Sequence, residues 1–433
     1  MEYQSVTIIG GGLAGSEAAW QMAESGIRVH LYEMRPHQKT PAHQTDFLAE
    51  LVCSNSFKSI EPSKASGLLK QEMTQMGSLI LESAQKSKVP AGKALAVDRT
   101  LFSQYITQKI SSHPKIQVLR EECTEIPKQG IVILATGPLT SLALSQSIQE
   151  KLGENSLYFY DAISPIVTTE SIDMNFCFEA SRYEAGSDYL NIPLSKEQYT
   201  EFVQDLMTGE KIEPKDFEKA AYFEGCLPIE VMAQRGFQTL AFGPLKPVGL
   251  TDPRSSAKPY AVIQLRKENQ SGTLYNLVGF QTKLTYSEQK RIFQKILALK
   301  KAVFVRLGSI HRNTFIHSPL HLNPYLQLKS EPRIFFAGQI TGVEGYMEST
   351  AMGLLVGRYA SQFVKDKPII PIPETTAMGV LIHYITSYPH KNYQPMNINY
   401  GLFPPLHEKT PKRDKKEALW LRANKDLSNW IHL

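Results

Sequence analysis

Val6–Thr7–Ile8–Ile9–Gly10–Gly11–Gly12–Leu13–Ala14–Gly15–Ser16 reads as a buried strand that runs into a glycine-rich turn and then a helix reaching Glu24. Each glycine has a task. Gly10 permits the tight turn, Gly12 lets backbone approach a pyrophosphate, and Gly15 lets helix and strand pack closely. Gly11, Leu13 and Ala14 complete a cradle whose helix N-terminus offers free N–H groups to an anion. A second short strand, Arg28–Val29–His30–Leu31–Tyr32, ends at Glu33, where a carboxylate can hold a ribose diol. A structural βα turn would explain the glycines alone but not Glu33 with them, so the N-terminus is a dinucleotide site.

The chain has 433 residues, enough for two or three domains and a large core. Lys and Arg total 47 against 42 Asp and Glu, a net charge of +5 that fits a slightly basic enzyme and permits a polyanionic partner. The four cysteines, Cys53, Cys123, Cys177 and Cys226, form no CxxC pair or Cys/His cluster, so no metal site is expected. Neither a signal-peptide pattern nor an apolar run of membrane-spanning length occurs in the sequence. The expectation is a cytoplasmic protein with reduced thiols and no membrane partner.

Further along, Ala65–Ser87 has helical spacing of Leu and Met, and Asp98–Ile110 places Phe102, Tyr105 and Ile106 on one helical face. Ile131–Ala135 returns to strand and leads into Thr136–Gly137–Pro138, a small-residue turn able to lie against a nucleotide. Residues 155–299 differ in texture, with Tyr/Phe-rich segments and alternating runs such as Tyr260–Leu265. They read as an inserted α+β domain. A second glycine-rich strand-to-helix junction follows at Arg333–Ala337 and Gly338–Gln339–Ile340–Thr341–Gly342–Val343–Glu344–Gly345–Tyr346, with a helix over 347–363. Two such junctions imply one nucleotide domain built from residues 1–154 and 300–433 and closed around the insertion.

The seventeen residues between Gly15 and Glu33, and the late Ala337–Gly338 junction, resemble the glutathione-reductase group of flavoproteins. That likeness favours FAD over NAD in an α/β, Rossmann-like domain. Three stretches are more specific: Leu51–Val52–Cys53–Ser54–Asn55–Ser56, Glu224–Gly225–Cys226–Leu227–Pro228–Ile229–Glu230 and Phe336–Tyr346. With Gly243–Leu250, Gly279–Leu284 and Leu307–Phe315, they resemble the folate- and FAD-dependent tRNA uracil-5-methyltransferases across essentially the whole chain. The longer relatives that modify the wobble uridine share the flavin fold but carry an extra C-terminal region.

The resemblance implies that methylenetetrahydrofolate supplies a one-carbon unit, FAD reduced by NADPH or NADH carries and reduces it, and uridine 54 of the tRNA T-loop becomes 5-methyluridine. Uracil C5 is a poor nucleophile until a thiolate adds at C6, so such a site needs a cysteine near the base. Cys226 is the candidate. Cys53 matches the family's flavin-side cysteine, a general base or a protective partner. The implied FAD contacts are Gly10–Gly15, Glu33, Gly137, Gly338, Gln339, Gly342 and Gly345. Cys177, between two phenylalanines, reads as core, and Cys123 lies among acids that oppose a thiolate. Arg306, His311 and Arg312 could contact folate carboxylates, phosphates or the flavin, with an exposed loop cluster as the plainer reading. A basic C-terminal stretch including Lys412, Arg413, Lys415 and Lys416 is a candidate RNA face, with a solvated surface helix as the plainer reading. The same chemistry on ribosomal RNA, and a simple FAD-dependent NAD(P)H oxidoreductase, stand as alternatives.

Overall fold

Uncharged and strongly β-forming, Val6–Ile9 takes a central place in a six-stranded sheet. The order is Gln327–Leu328, Glu331–Phe336, Val132–Leu134, Val6–Ile9, Val29–Tyr32 and Ile116–Leu119. The computed structural model describes residues 5–40, 42–153, 157–182, 186–212, 227–255, 258–388, 393–406, 410–411 and 413–432, with backbone alone at 157–161 and 310–312. All but the short first strand pair in parallel, with Val6 opposite Val29 and Val132 opposite Ile334. A parallel sheet covered on both faces needs apolar side chains at successive positions. Val132, Ile133, Leu134, Ile334, Phe335 and Phe336 meet that need, all fully buried. The C-terminal part of the chain therefore completes the sheet begun at the N-terminus.

Small residues bring the two glycine junctions together. The helix Leu13–Glu24 packs on the long helix Tyr346–Val364. A Cβ on Gly353 would lie 2.7 Å from Ala14 Cα, and one on Gly338 would lie 2.8 Å from Ala14 Cβ. Elsewhere the pattern needs adjustment: the Leu/Met stretch 65–87 forms two helices, Ala65–Gln75 and Leu79–Lys86. Gly77, at φ +73°, turns the chain, and the Ser78 hydroxyl accepts the Leu81 N–H while donating to buried Glu17. Asp98 caps the helix Arg99–Ser112, its Oδ1 accepting from the N–H groups of Thr100 and Leu101.

The inserted unit has its own antiparallel sheet, ordered Phe178–Glu179, Tyr189–Leu194, Ala261–Lys267, Leu274–Leu277, Ile166–Thr168 and Phe304–Arg306. Helices Lys196–Thr208 and Tyr286–Phe293 cover it, and Phe202, Phe280 and Phe293 meet in a separate core. The chain leaves this sheet only after Arg306, beyond the boundary expected at 299. Leu157–Ala162 pairs antiparallel with Ile310–Phe315, so the entering and leaving segments run side by side. Helix Lys415–Ile431 buries Leu419, Ala423 and Leu427, and Trp420 Nε1 donates to Gln71 Oε1 at 2.9 Å. Lys412 lies outside the described residues; Arg413, Lys415 and Lys416 are exposed. Among the described residues no helix is long and apolar enough to cross a membrane.

Candidate active site

Parallel strands ending at Ile9 and Leu134 set the turns after them side by side. Gly10 adopts φ +104°, and a Cβ there would lie 2.6 Å from the Ala135 carbonyl oxygen, so only glycine fits. Between the turns lies a cleft whose lining includes Gly10, Gly12, Glu33, Arg35, Cys123 and Thr136. A Cβ on Gly12 would meet nothing within 4 Å, and no side chain caps the helix that begins there. Leu13, Ala14 and Gly15 form its buried first turn. Gly137, at φ +66°, opens the short turn Gly137–Leu139 on the facing side.

Glu33 reaches this cradle but is held tightly. Its Oε2 accepts the Gly11 N–H at 3.0 Å, and its Oε1 accepts from Arg35 Nε at 2.8 Å. Fully buried Arg35 also pairs with Glu50 at 3.1 Å. Burial pushes the Glu33 pKa up, but the hydrogen bonds and charge of Arg35 outweigh it and leave the carboxyl below its usual range. Burial and the same guanidinium push His43 down to about 4, so it is neutral at physiological pH.

A groove along Pro138–Ser141 and a second cavity lie beside the cleft, and Leu139 lines all three. Cys53, Lys58, Gln281, Gln339, Gly345 and Tyr346 are among the walls of that cavity. The Tyr346 phenol oxygen accepts the N–H groups of Cys53 and Ser54 at 2.7 and 3.1 Å. From the other side, Arg99 donates to the carbonyls of Leu51 and Cys53 at 2.6 and 3.0 Å. Burial raises the Tyr346 pKa well above its ordinary value, so the hydroxyl stays protonated. Lys58 Nζ pairs with buried Glu348 at 3.1 Å, close to the position a Cβ on Gly345 would take. Gly338, Gly342 and Gly345 all have positive φ, and Gln339 donates to Glu344 at 2.6 Å.

Cys53 and the second glycine junction thus share one cavity, and Leu139 borders both it and the cleft at the first junction. Cys226 lies outside the described residues, as do the side chains of His311 and Arg312. Cys123 lines the nucleotide-side cleft; burial pushes its thiol up and neighbouring glutamates add to the effect. Cys177 is buried in the second core, its pKa pushed up to about 12 by desolvation. Arg306 approaches the Ala42 carbonyl at 3.4 Å, its pKa lowered by burial and by Arg99.

A family model described as glucose inhibited division protein A matches residues 5–368. The methylenetetrahydrofolate–tRNA-(uracil-5-)-methyltransferase TrmFO of Geobacter sulfurreducens is 55% identical over 430 residues, covering 99% of each chain. Enzymes of the same name from Geotalea daltonii and Aquifex aeolicus are 57% and 56% identical, with 99% and 96% of their own lengths covered. The chain belongs to this methyltransferase family. Two crystal forms of Aquifex aeolicus GidA superpose with TM-scores of 0.71 and 0.69 at 15% and 16% identity. They cover 99% and 98% of this chain, and 73% and 76% of their own. Those structures bear out the expected α/β, Rossmann-like fold.

For this family member, three residues near the cavities escaped the sequence reading. Arg35 sits two positions after Glu33, and a buried acid followed so closely by a cation was the available signal. Tyr346 ends the Phe336–Tyr346 motif, yet its link to Cys53 spans 293 residues. Nothing local marked Arg99 either, since at the first turn of a helix it looks like a solvated cation.

Proposed function

We propose that this chain methylates C5 of uridine 54 in the tRNA T-loop, with methylenetetrahydrofolate as carbon donor and FAD as bound carrier and reductant. The carrying observation is identity of 55–57% over essentially the whole chain to relatives named for methylation of tRNA uracil from that folate. The residues present fit the cofactor: Gly10 cannot bear a Cβ, Gly12 faces open space, and Leu139 borders both the cleft beside them and the cavity that holds Cys53. Gly12, Leu13, Ala14 and Gly15 would take the pyrophosphate at the uncapped helix N-terminus, with Gly10 and Gly11 shaping the turn beside it. Glu33 would meet the ribose, with Gly137 beside it, and Gly338, Gln339, Gly342 and Gly345 would border the ring end. When bound, the flavin supplies transfer and reduction of the one-carbon unit, recharged by NADPH or NADH.

The protein's own tasks are to hold the base, activate it and exclude water. Cys226 adds to uracil C6 and makes C5 nucleophilic. Three positions further along the chain, the Ile229 N–H donates to the carbonyl of cavity-lining Gln281 at 2.7 Å. Cys53, already in that cavity's wall, serves as base or as partner to the flavin. The uridine must leave its stack to reach them, and the exposed cations of the C-terminal helix offer the RNA a phosphate-binding rim. A tRNA substrate supports a cytoplasmic location.

The decisive assay incubates flavin-loaded protein with NADPH, methylene-labelled folate, and unmodified tRNA or ribosomal RNA in separate tubes. Labelled 5-methyluridine in tRNA supports the reading. Label only in ribosomal RNA changes the partner, and nucleotide oxidation without label leaves a simple reductase. Cys226→Ala should keep flavin and lose methylation; retained methylation removes it as nucleophile.

A further inference from the structure

Arg99 holds the Cys53 turn from behind, and its partner belongs to the other unit. Besides the Leu51 and Cys53 carbonyls, its Nε meets Glu268 Oε2 at 2.7 Å, with the carboxylate side chain only 3% exposed. Glu268 follows the strand Ala261–Lys267 of the inserted sheet. Its neighbours strengthen the seam: Arg266 Nε donates to Asn55 Oδ1 at 2.9 Å, and Asn55 Nδ2 donates to the Lys267 carbonyl at 3.0 Å. The Gln270 N–H reaches Asp98 Oδ2 at 3.1 Å. Four nearby residues of the insertion therefore grip the turn that carries Cys53 and the start of the helix behind it.

We propose that the Arg99–Glu268 pair is a positioning latch that fixes the Cys53 turn against the inserted unit, the unit whose chain carries Cys226. Cys53 is thereby held at its place in the cavity wall, a role that rests on the methyltransferase reading given above. A planar guanidinium can serve three acceptors in fixed directions, whereas a lysine ammonium lacks that fork. Removing either partner also leaves a buried charge or buried carbonyls uncompensated. Shifting the insertion relative to the nucleotide unit would pull directly on Cys53.

The test uses flavin-loaded full-length protein and the variants Arg99→Lys and Glu268→Gln. Iodoacetamide labelling of Cys53 is followed by peptide mass spectrometry, with Cys177 as internal reference, alongside flavin absorbance and the kcat and KM for tRNA. Each variant should label Cys53 about tenfold faster, the effect of losing one charge-assisted hydrogen bond. Cys177 labelling and flavin content should stay unchanged, while kcat falls and KM holds. Should a single variant fail to fold, the paired apolar replacement Arg99→Met with Glu268→Leu removes both charges together and should show the same faster labelling. Cys53 labelling at the parental rate, or faster labelling of Cys53 and Cys177 alike, overturns the latch. Because labelling needs no RNA, it reads the latch even where the methylation assay fails.

Discussion

Glu72 → Gln should make stability less sensitive to pH, and the effect can be sized. Glu72 is fully buried on the helix Ala65–Gln75 and accepts the N–H groups of Ala377 and Met378, at 2.6 and 2.9 Å, where another helix begins. No cation pairs with it among the described contacts, and burial pushes its pKa from the ordinary 4.5 up to about 8 despite those two hydrogen bonds. The folded protein keeps a proton that the unfolded chain releases near 4.5, so this group lowers stability as pH rises from about 4.5 to about 8. At about 1.4 kcal/mol per pH unit, the loss is ~2 kcal/mol by pH 6 and ~4.5 kcal/mol by pH 8. Glutamine cannot ionise, so the variant's stability relative to the parent should improve by about 2.5 kcal/mol between those two pH values. Other titrating groups cancel in that difference. Urea unfolding followed by tryptophan fluorescence suits the measurement, because Trp420 is bonded to Gln71 beside Glu72. A difference between variant and parent that is equal at pH 6 and pH 8 would refute the reasoning.

Three further outcomes are expected. Gly10→Ala adds a Cβ at 2.6 Å from the Ala135 oxygen in a positive-φ conformation, and should cost ~2–4 kcal/mol and most of the bound flavin, read by thermal unfolding and absorbance. Arg35→Met strands Glu33 and Glu50 without their cation and should destabilise by ~3–5 kcal/mol, whereas an unchanged melting temperature would mean that another group compensates them. Replacing Arg413, Lys415 and Lys416 with glutamine should weaken tRNA binding and flatten its dependence on salt by up to ~0.9 per lost phosphate contact; an equal slope would return them to an ordinary solvated surface.

Much of the nucleotide unit was legible because its signals are local. The glycine cradle, the strand before it and the terminal acid lie within a few dozen residues, and each obeys its own steric or periodic rule. The second junction was readable for the same reason, with Gly338, Gly342 and Gly345 marking positive-φ positions. The site around Cys53 was less legible, since it is built from contacts far apart in sequence. Tyr346 meets Cys53 only after the long C-terminal helix has docked, and Glu268 meets Arg99 only after the insertion has folded. Even the break at Gly77 depends on Glu17, whose carboxylate binds Ser78 and the Ile80 N–H.

The ribbon formed by Leu157–Ala162 and Ile310–Phe315 bears on how the chain assembles. The central sheet cannot close until Ile334 reaches Val132, so its last strand arrives after the whole insertion has been synthesised. An unstructured loop of that size carries a closure entropy that grows with its length. Once the insertion has folded, Ala162 and Ile310 stand opposite each other, and the long excursion behaves like the tip of a hairpin. Folding of the insertion thus shortens the effective loop, and the late strand needs to search only a short distance to find its place.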